Sequence, residues 1–140
     1  MMHIEHIAIW TRDLERLKAF YETYFDGQAN EKYVNAAKQF ESYFLTFASG
    51  ARLELMQKPA VLPSHDKVQA LGYAHLAFSV GSEAQVDALT ARLREAGYQV
   101  ASAPRHTGDG YYESCVLDPD GNRVEIVVAA DSIPREKRFQ

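Results

Sequence analysis

His6-Ile7-Ala8-Ile9 recurs as His75-Leu76-Ala77-Phe78, and Arg52-Leu53-Glu54-Leu55 recurs as Arg123-Val124-Glu125-Ile126. The first pair of segments is offset by 69 residues and the second by 71, within a chain of 140. A solenoid needs at least three stacked repeats, so one unit written twice describes a pseudo-twofold pair of modules.

The same order of elements surrounds these segments in both halves. Residues 4–10 form an apolar, β-branched run that predicts a strand. Thr11-Arg12-Asp13 offers a helix start, Leu14, Leu17, Phe20, Tyr21, Tyr24 and Phe25 recur at helical spacing, and Gly27 ends the pattern. A short strand is expected around Lys32-Tyr33-Val34. Residues 40–48 and 51–57 read as two strands joined by a tight turn at Ser49-Gly50. A polar connector with Pro59, Pro63 and Ser64-His65-Asp66-Lys67 follows. The second half then predicts a strand over 73–80 and a capping box of Ser82 and Gln85. Val86, Leu89 and Leu93 give its helix an apolar stripe, with Gly97 at the helix end. A short strand over 98–100 precedes a hairpin of 111–117 and 122–128 around Asp118-Pro119-Asp120-Gly121. Each half therefore reads β-α-β-β-β, and the class is α+β. The polar stretch from Asp131 to Gln140 is expected at the surface.

Side chains alternate across a strand, so residues two apart share a face. Ile7, Ile9, Leu53 and Leu55 take one face in the first half, and Leu76, Phe78, Val80, Val124, Ile126 and Val128 take it in the second. The opposite face carries His6, Glu54, His75 and Glu125 in the middle of otherwise apolar strands. Taken singly, a strand histidine is ordinarily a satisfied core or surface residue, and a strand glutamate is solvated or paired with a neighbour such as Arg52 or Arg123. Burying two carboxylates without compensation is costly. The same His…Glu order in both halves therefore points to a divalent cation held by two imidazoles and two carboxylates. His3, Glu5, His65 and His106 have no counterpart in the repeat, and solvent or substrate-facing loops are expected for them.

Composition removes several classes of function. A net charge of −4 leaves no basic stripe for nucleic acid. No apolar run is long enough to span a membrane and the start lacks the features of a signal peptide, so a cytoplasmic protein is the default. Cys115 is the only cysteine, which excludes an internal disulfide. Lying in Glu113-Ser114-Cys115-Val116-Leu117, it reads as a buried small residue of a strand rather than a nucleophile.

Three pieces carry a family resemblance: His6-Ile-Ala-Ile with Phe20-Tyr21, Gly72-Tyr-Ala-His75-Leu-Ala-Phe-Ser-Val, and Asp118-Pro-Asp-Gly-Asn-Arg-Val-Glu125. Over residues 2–128 the chain resembles the vicinal oxygen chelate superfamily, which includes glyoxalase I, fosfomycin-modifying transferases, epimerases, extradiol dioxygenases and bleomycin-resistance proteins. The resemblance implies two βαβββ modules (1–58 and 72–130) forming paired curled sheets around a metal site in a single domain, 1–130. It also implies a homodimer, since members often dimerise. Extradiol dioxygenases and fosfomycin transferases lack a counterpart of Glu54, and bleomycin-binding members lack the metal set. The order His6, Glu54, His75, Glu125 is similar to that of bacterial glyoxalase I.

That likeness implies one divalent ion (nickel, cobalt, zinc or manganese), with Glu125 as the base and Glu54 as its partner on the opposite side. The reaction would pass a proton between neighbouring carbons through an enediolate, converting the glutathione adduct of methylglyoxal to S-lactoylglutathione. Trp10, Met56 and Tyr73 lie on the ligand face and would form an apolar wall for the substrate. Arg12, Lys58, Arg105 and Arg123 would meet carboxylates of a glutathione-like thiol. A non-catalytic small-molecule binding protein, or an epimerase for another substrate with vicinal oxygens, stands as the alternative on the same scaffold.

Overall fold

The computed structural model describes residues 1–63 and 71–129. The connector stretch that holds His65, and the tail at 131–140, lie outside the described residues. The chain divides into two compact units, Met1–His65 and Asp66–Gln140.

The first unit runs β1 (His6–Trp10), α1 (Leu14–Phe25), β2 (Gln28–Ala29), β3 (Tyr33–Asn35), β4 (Phe40–Thr46) and β5 (Arg52–Gln57). Its sheet has the order β1-β5-β4-β2, with β3 also pairing β4. The second unit runs β6 (Leu76–Ser79), α2 (Glu83–Glu95), β7 (Val100–His106), β8 (Tyr111–Leu117) and β9 (Arg123–Ala129), in the sheet order β6-β9-β8-β7. In both units the first strand lies parallel to the last, and every other pairing is antiparallel. The expected α+β class and repeated modules are what the chain adopts.

Each helix covers the apolar face of its own sheet. Leu14, Leu17, Phe20, Tyr21 and Phe25 of α1 are buried, as are Tyr43, Leu45, Leu53 and Leu55 of β4 and β5. Asp13 caps α1, its carboxylate accepting from the Arg16 N–H at 3.1 Å. Gln57, at the end of β5, accepts from the Leu14 N–H at 2.9 Å and donates to the Arg12 carbonyl at 2.8 Å, which fixes the helix start against the sheet. In the second unit Val86, Thr90 and Leu93 face Val116, Val124 and Ile126 in the core. The expected stripe placed Leu89 there. Instead Thr90 is buried, because its hydroxyl lies 2.6 Å from the Val86 carbonyl and 2.6 Å from Ser114 Oγ.

Helix ends show which expectations were local. Ser82 caps α2 as expected, accepting from the Gln85 N–H at 3.2 Å. Gly97, at φ +94°, follows α2 with Gly97 N–H to Arg94 O and Tyr98 N–H to Leu93 O, a Schellman ending. At the end of α1, however, the left-handed residue is Asp26 (φ 57°) and not Gly27. Gly27 serves packing: a Cβ there would stand 2.8 Å from Leu45 Cδ2. In the Asp118–Gly121 turn the buried Asp118 carboxylate accepts from Asp120 N, Asn122 N and Asn122 Nδ2, and Gly121 takes φ 84°.

Other boundaries differ for reasons of pairing. The β4–β5 link is five residues, 47–51, rather than a two-residue turn at Ser49-Gly50. The short strand near Lys32 is split in two. Asn30 pairs both its N–H and its side-chain oxygen with Phe44 at 2.9 Å, and the register against β4 then slips by one residue before Tyr33. The strand expected over 98–100 is seven residues long, Val100–His106. It tolerates Pro104 because β7 is an edge strand with two register shifts against β8. β1 begins at His6, not residue 4, and β6 begins at Leu76, leaving Tyr73 and His75 just before the ladder.

Candidate functional site

Strand register places the histidine and glutamate of each unit diagonally across one parallel strand pair. In β1 and β5, His6 opposes Arg52 and Ala8 opposes Glu54, so His6 and Glu54 are same-face diagonal neighbours. In β6 and β9, Ala77 opposes Glu125, and His75, two residues earlier, takes the corresponding diagonal. His6 Nε2 lies 3.7 Å from Glu54 Oε1, and His75 Nε2 lies 3.0 Å from Glu125 Oε1. The carboxylate side chains are the more enclosed partners, 16% exposed for Glu54 and 23% for Glu125, against 39% and 40% for the imidazoles. Leu53, Leu55, Val124 and Ile126 fill the opposite face, as the alternation requires.

These separations suit an ion. With metal–ligand bonds of about 2.1 Å, adjacent ligands of an octahedron stand about 3 Å apart. The His75–Glu125 pair already has that spacing, and His6–Glu54 is slightly wider. Nitrogen and oxygen donors in this mixture suit several first-row divalent metals. Among the described residues no three His, Cys, Asp or Glu side chains gather closely enough to hold an ion. What each unit assembles by itself is one two-donor pair.

Neighbours of the two pairs differ, and the differences involve two carboxylates that the repeat pattern did not single out. In the first unit Glu5 Oε1 lies 3.4 Å from His6 Nδ1. Glu5 also accepts from Arg52 Nε at 2.9 Å and from Arg52 Nη2. Hydrogen bonding from Arg52 holds the Glu5 carboxyl below the usual carboxylate range. Arg52 is thus engaged by Glu5, not by Glu54, and its guanidinium carbon stacks 4.2 Å from the Phe44 ring centroid. His6 meets the same ring edge-on at 5.3 Å. Glu5, expected as a solvated residue, orients a candidate ligand.

In the second unit the extra carboxylate is Glu113 of β8. Cys115 opposes Glu125 and Glu113 opposes Val127, so Glu113, Cys115 and Glu125 share a face. Burial, and then the adjacent Glu125 carboxylate, push the Glu113 carboxyl above its usual range. Arg105 opposes Glu113 from β7 and offsets part of that effect. The Asp118 turn fixes the register of this hairpin, so strand parity applied outward from the turn carries the signal for Glu113. Cys115 is buried, as expected, and burial raises its thiol. Arg123, on the same face as Glu125, interacts with that thiol.

The other expected contacts fall as follows. Trp10 lies on the ligand face of β1, 40% exposed, and opposes Met56 of β5. Arg12 is exposed just before α1. Tyr73 is fully exposed outside β6. His106 stacks on Tyr112 at 4.8 Å and lies 3.7 Å from Glu83 at the start of α2, on the opposite face from Glu113. Tyr112 donates to Asp87 at 2.5 Å, which pushes its hydroxyl up to about 12. No helix among the described residues is long and apolar enough to cross a membrane.

Residues 3–126 match the family model of the Glyoxalase/Bleomycin resistance protein/Dioxygenase superfamily, and the chain belongs to this family. It is 28% identical over 131 residues to the uncharacterized protein YqjT of Bacillus subtilis (strain 168), covering 89% of this chain and 97% of that one. A glyoxylase/bleomycin resistance protein/dioxygenase domain from Frankia sp. EAN1pec superposes with a TM-score of 0.77 at 20% identity, over 92% of this chain and 98% of the other. Glyoxalase I from Zea mays superposes with a TM-score of 0.74 at 22% identity, over 91% of this chain and 45% of that longer one. The two structural likenesses concern the fold. A shared fold leaves the reaction open, because function is set by the site residues carried on it.

Proposed function

We propose that this protein is a metal-dependent lyase or isomerase of the glyoxalase I type, in which His6, Glu54, His75 and Glu125 serve one divalent ion. The observation that carries this reading is the repeated geometry: two units independently place a histidine and a glutamate on the same diagonal of the same parallel strand pair. Core packing does not call for either pair, since the buried side chains of these strands all lie on the other face.

When bound, the ion would supply a Lewis acid for negative charge that develops on adjacent substrate oxygens. Glu125 is the proposed base, removing a proton from the carbon beside a carbonyl and returning it to the neighbouring carbon. No oxidant or reductant enters, because the proton and the electron pair only change places within the substrate. Glu113, on the same face, gives Glu125 a second carboxyl with which to share that proton. Glu54 is its counterpart in the other unit, and Glu5 with Arg52 keeps His6 Nε2 turned toward Glu54. The glutathione adduct of methylglyoxal, converted to S-lactoylglutathione, is the proposed first substrate to assay.

The test is metal analysis of the purified protein, then reloading with nickel, cobalt, zinc or manganese and assay of that adduct. Stoichiometric metal and turnover that Glu125→Gln abolishes would support the reading. Failure to bind any of the four ions would overturn it. Metal binding with ligand binding but no turnover would assign the scaffold to a non-catalytic binding protein.

A further inference from the structure

The two units share a frame, so positions where their ligand faces differ are not dictated by the fold. At the repeat offsets, Trp10 corresponds to Ser79, Met56 to Val127, Phe40 to Tyr111 and Lys58 to Ala129. The second unit builds the same parallel pair without a tryptophan or a lysine at these places. Trp10, Met56 and Lys58 are therefore free of any duty common to both modules.

In the first unit these residues form one surface. His6, Ala8 and Trp10 follow one another on the same face of β1, and the small Ala8 opposes Glu54. Trp10 opposes Met56, and the Trp10 ring meets Phe40 edge-on at 6.2 Å. Tyr33 adds a further ring 6.1 Å from Phe40. Trp10 and Tyr33 are 40% and 54% exposed. Large aromatic side chains left open together mark a binding surface more often than isolated ones do. Lys58 Nζ stands 5.0 Å over the Trp10 ring, and no carboxylate holds it among the described residues. A groove of about 610 Å³ opens beside the cluster, and Phe40 and Lys58 line it with Val34, Gln39, Pro59 and Glu41, whose carboxylate is paired with Lys32 Nζ at 3.1 Å. That is room for a group of many atoms.

We propose that Trp10, Phe40, Met56 and Lys58 form a subsite for a flat apolar group bearing a nearby anion, a carboxylate or a phosphate, on the part of the substrate that does not react. Its role as a substrate subsite rests on the isomerase reading, which places the reacting oxygens at the ion that His6 and Glu54 would help to hold, beside Ala8. Binding itself needs neither metal nor turnover. The aromatic faces take the flat group, the ammonium meets the anion, and Ala8 leaves a trough between this end and the His6–Glu54 pair. A peptide thiol such as glutathione fills only the charged half of this subsite, so an adduct that adds a flat apolar group should bind more tightly than the bare glutathione adduct.

Trp10 is the only tryptophan of the chain, so its emission reports directly on this surface. Metal-free protein would be titrated with phenylbutyrate, with butyrate as an anion lacking the ring and phenylbutanol as a ring lacking the anion. The expected result is a saturable change with phenylbutyrate, and binding weaker by about tenfold for each control. Phe40→Ala should weaken both ring-bearing probes, whereas Lys58→Gln should weaken phenylbutyrate alone, to the level of phenylbutanol. No saturable change with wild-type protein, or a response that neither substitution alters while the thermal melt stays intact, would overturn the proposal. Binding without turnover of any adduct would leave the subsite standing and remove the isomerase reading. Turnover of the glutathione adduct without phenylbutyrate binding would do the reverse.

Discussion

His75 Nε2 and Glu125 Oε1 stand 3.0 Å apart across the parallel pair of β6 and β9, the spacing of neighbouring ligands on one ion. Glu125 is also the carboxylate with a second acid, Glu113, on its own face. Both features make it the residue whose neutral isostere is most informative. Glu125→Gln should reduce turnover of a vicinal-oxygen substrate by about 10²-fold or more, because proton transfer by a positioned base contributes that much. The circular-dichroism melt should stay cooperative, since the core lies on the other face. Turnover that survives this substitution would remove Glu125 from the role of base.

Glu5 should act through His6. Its carboxylate sits 3.4 Å from His6 Nδ1 and is itself held by Arg52. Orienting partners of this kind are worth roughly 10–100-fold in metal affinity. Glu5→Gln is therefore expected to weaken the ion in a chelator competition by about tenfold while leaving the thermal melt of metal-free protein unchanged. Heteronuclear NMR of metal-free protein above neutral pH should show the Nδ1–H tautomer of His6 in the wild type and a mixture in the variant. An unchanged tautomer with unchanged affinity would make Glu5 a surface charge only.

Thr90 and Ser114 share a hydroxyl contact of 2.6 Å in the core of the second unit. Thr90→Val leaves the buried Ser114 hydroxyl without that contact and should cost about 1–3 kcal/mol. Replacing both, Thr90→Val with Ser114→Ala, should cost less than the sum, because no buried polar group is stranded. Urea denaturation of the four proteins measures the coupling, and strict additivity would refute it.

Glu15 gives a pH dependence with a defined sign. It lies 3.0 Å from Lys32 Nζ and accepts from the Tyr43 hydroxyl at 2.8 Å, linking α1 to β4. The hydrogen bond from Lys32, and then that from Tyr43, lower its pKa from the ordinary 4.5. A depressed carboxylate stabilises the fold above its unfolded value and loses that contribution as pH falls through its folded value. With a side chain 57% exposed, the contribution is screened to about 0.5 kcal/mol at most. Wild type should therefore melt slightly above Glu15→Gln at pH 7, and the gap should close as pH falls below 4.5. A gap that widens under acid would reverse the assignment.

The sequence by itself determined the features that depend on local periodicity. Two βαβββ modules, the Ser82 cap, the Gly97 helix ending, the Asp118 turn and the face carrying His6, Glu54, His75 and Glu125 all follow from spacing along the chain. Strand alternation has a period of two, so it separates a buried Leu53 from Glu54 on the opposite face without reference to any other strand. Tertiary structure decided whatever depends on one strand meeting another far away in sequence. The parallel register of β1 on β5 set His6 diagonal to Glu54 and put Arg52 against Glu5. The β8–β9 ladder brought Glu113 to the face of Glu125, and packing against Ser114 drew Thr90 inward in place of Leu89. An edge position let β7 run through Pro104. These outcomes are fixed by which backbone groups find partners and which side chains fill the space between elements. A residue's own neighbours along the chain carry little information about either.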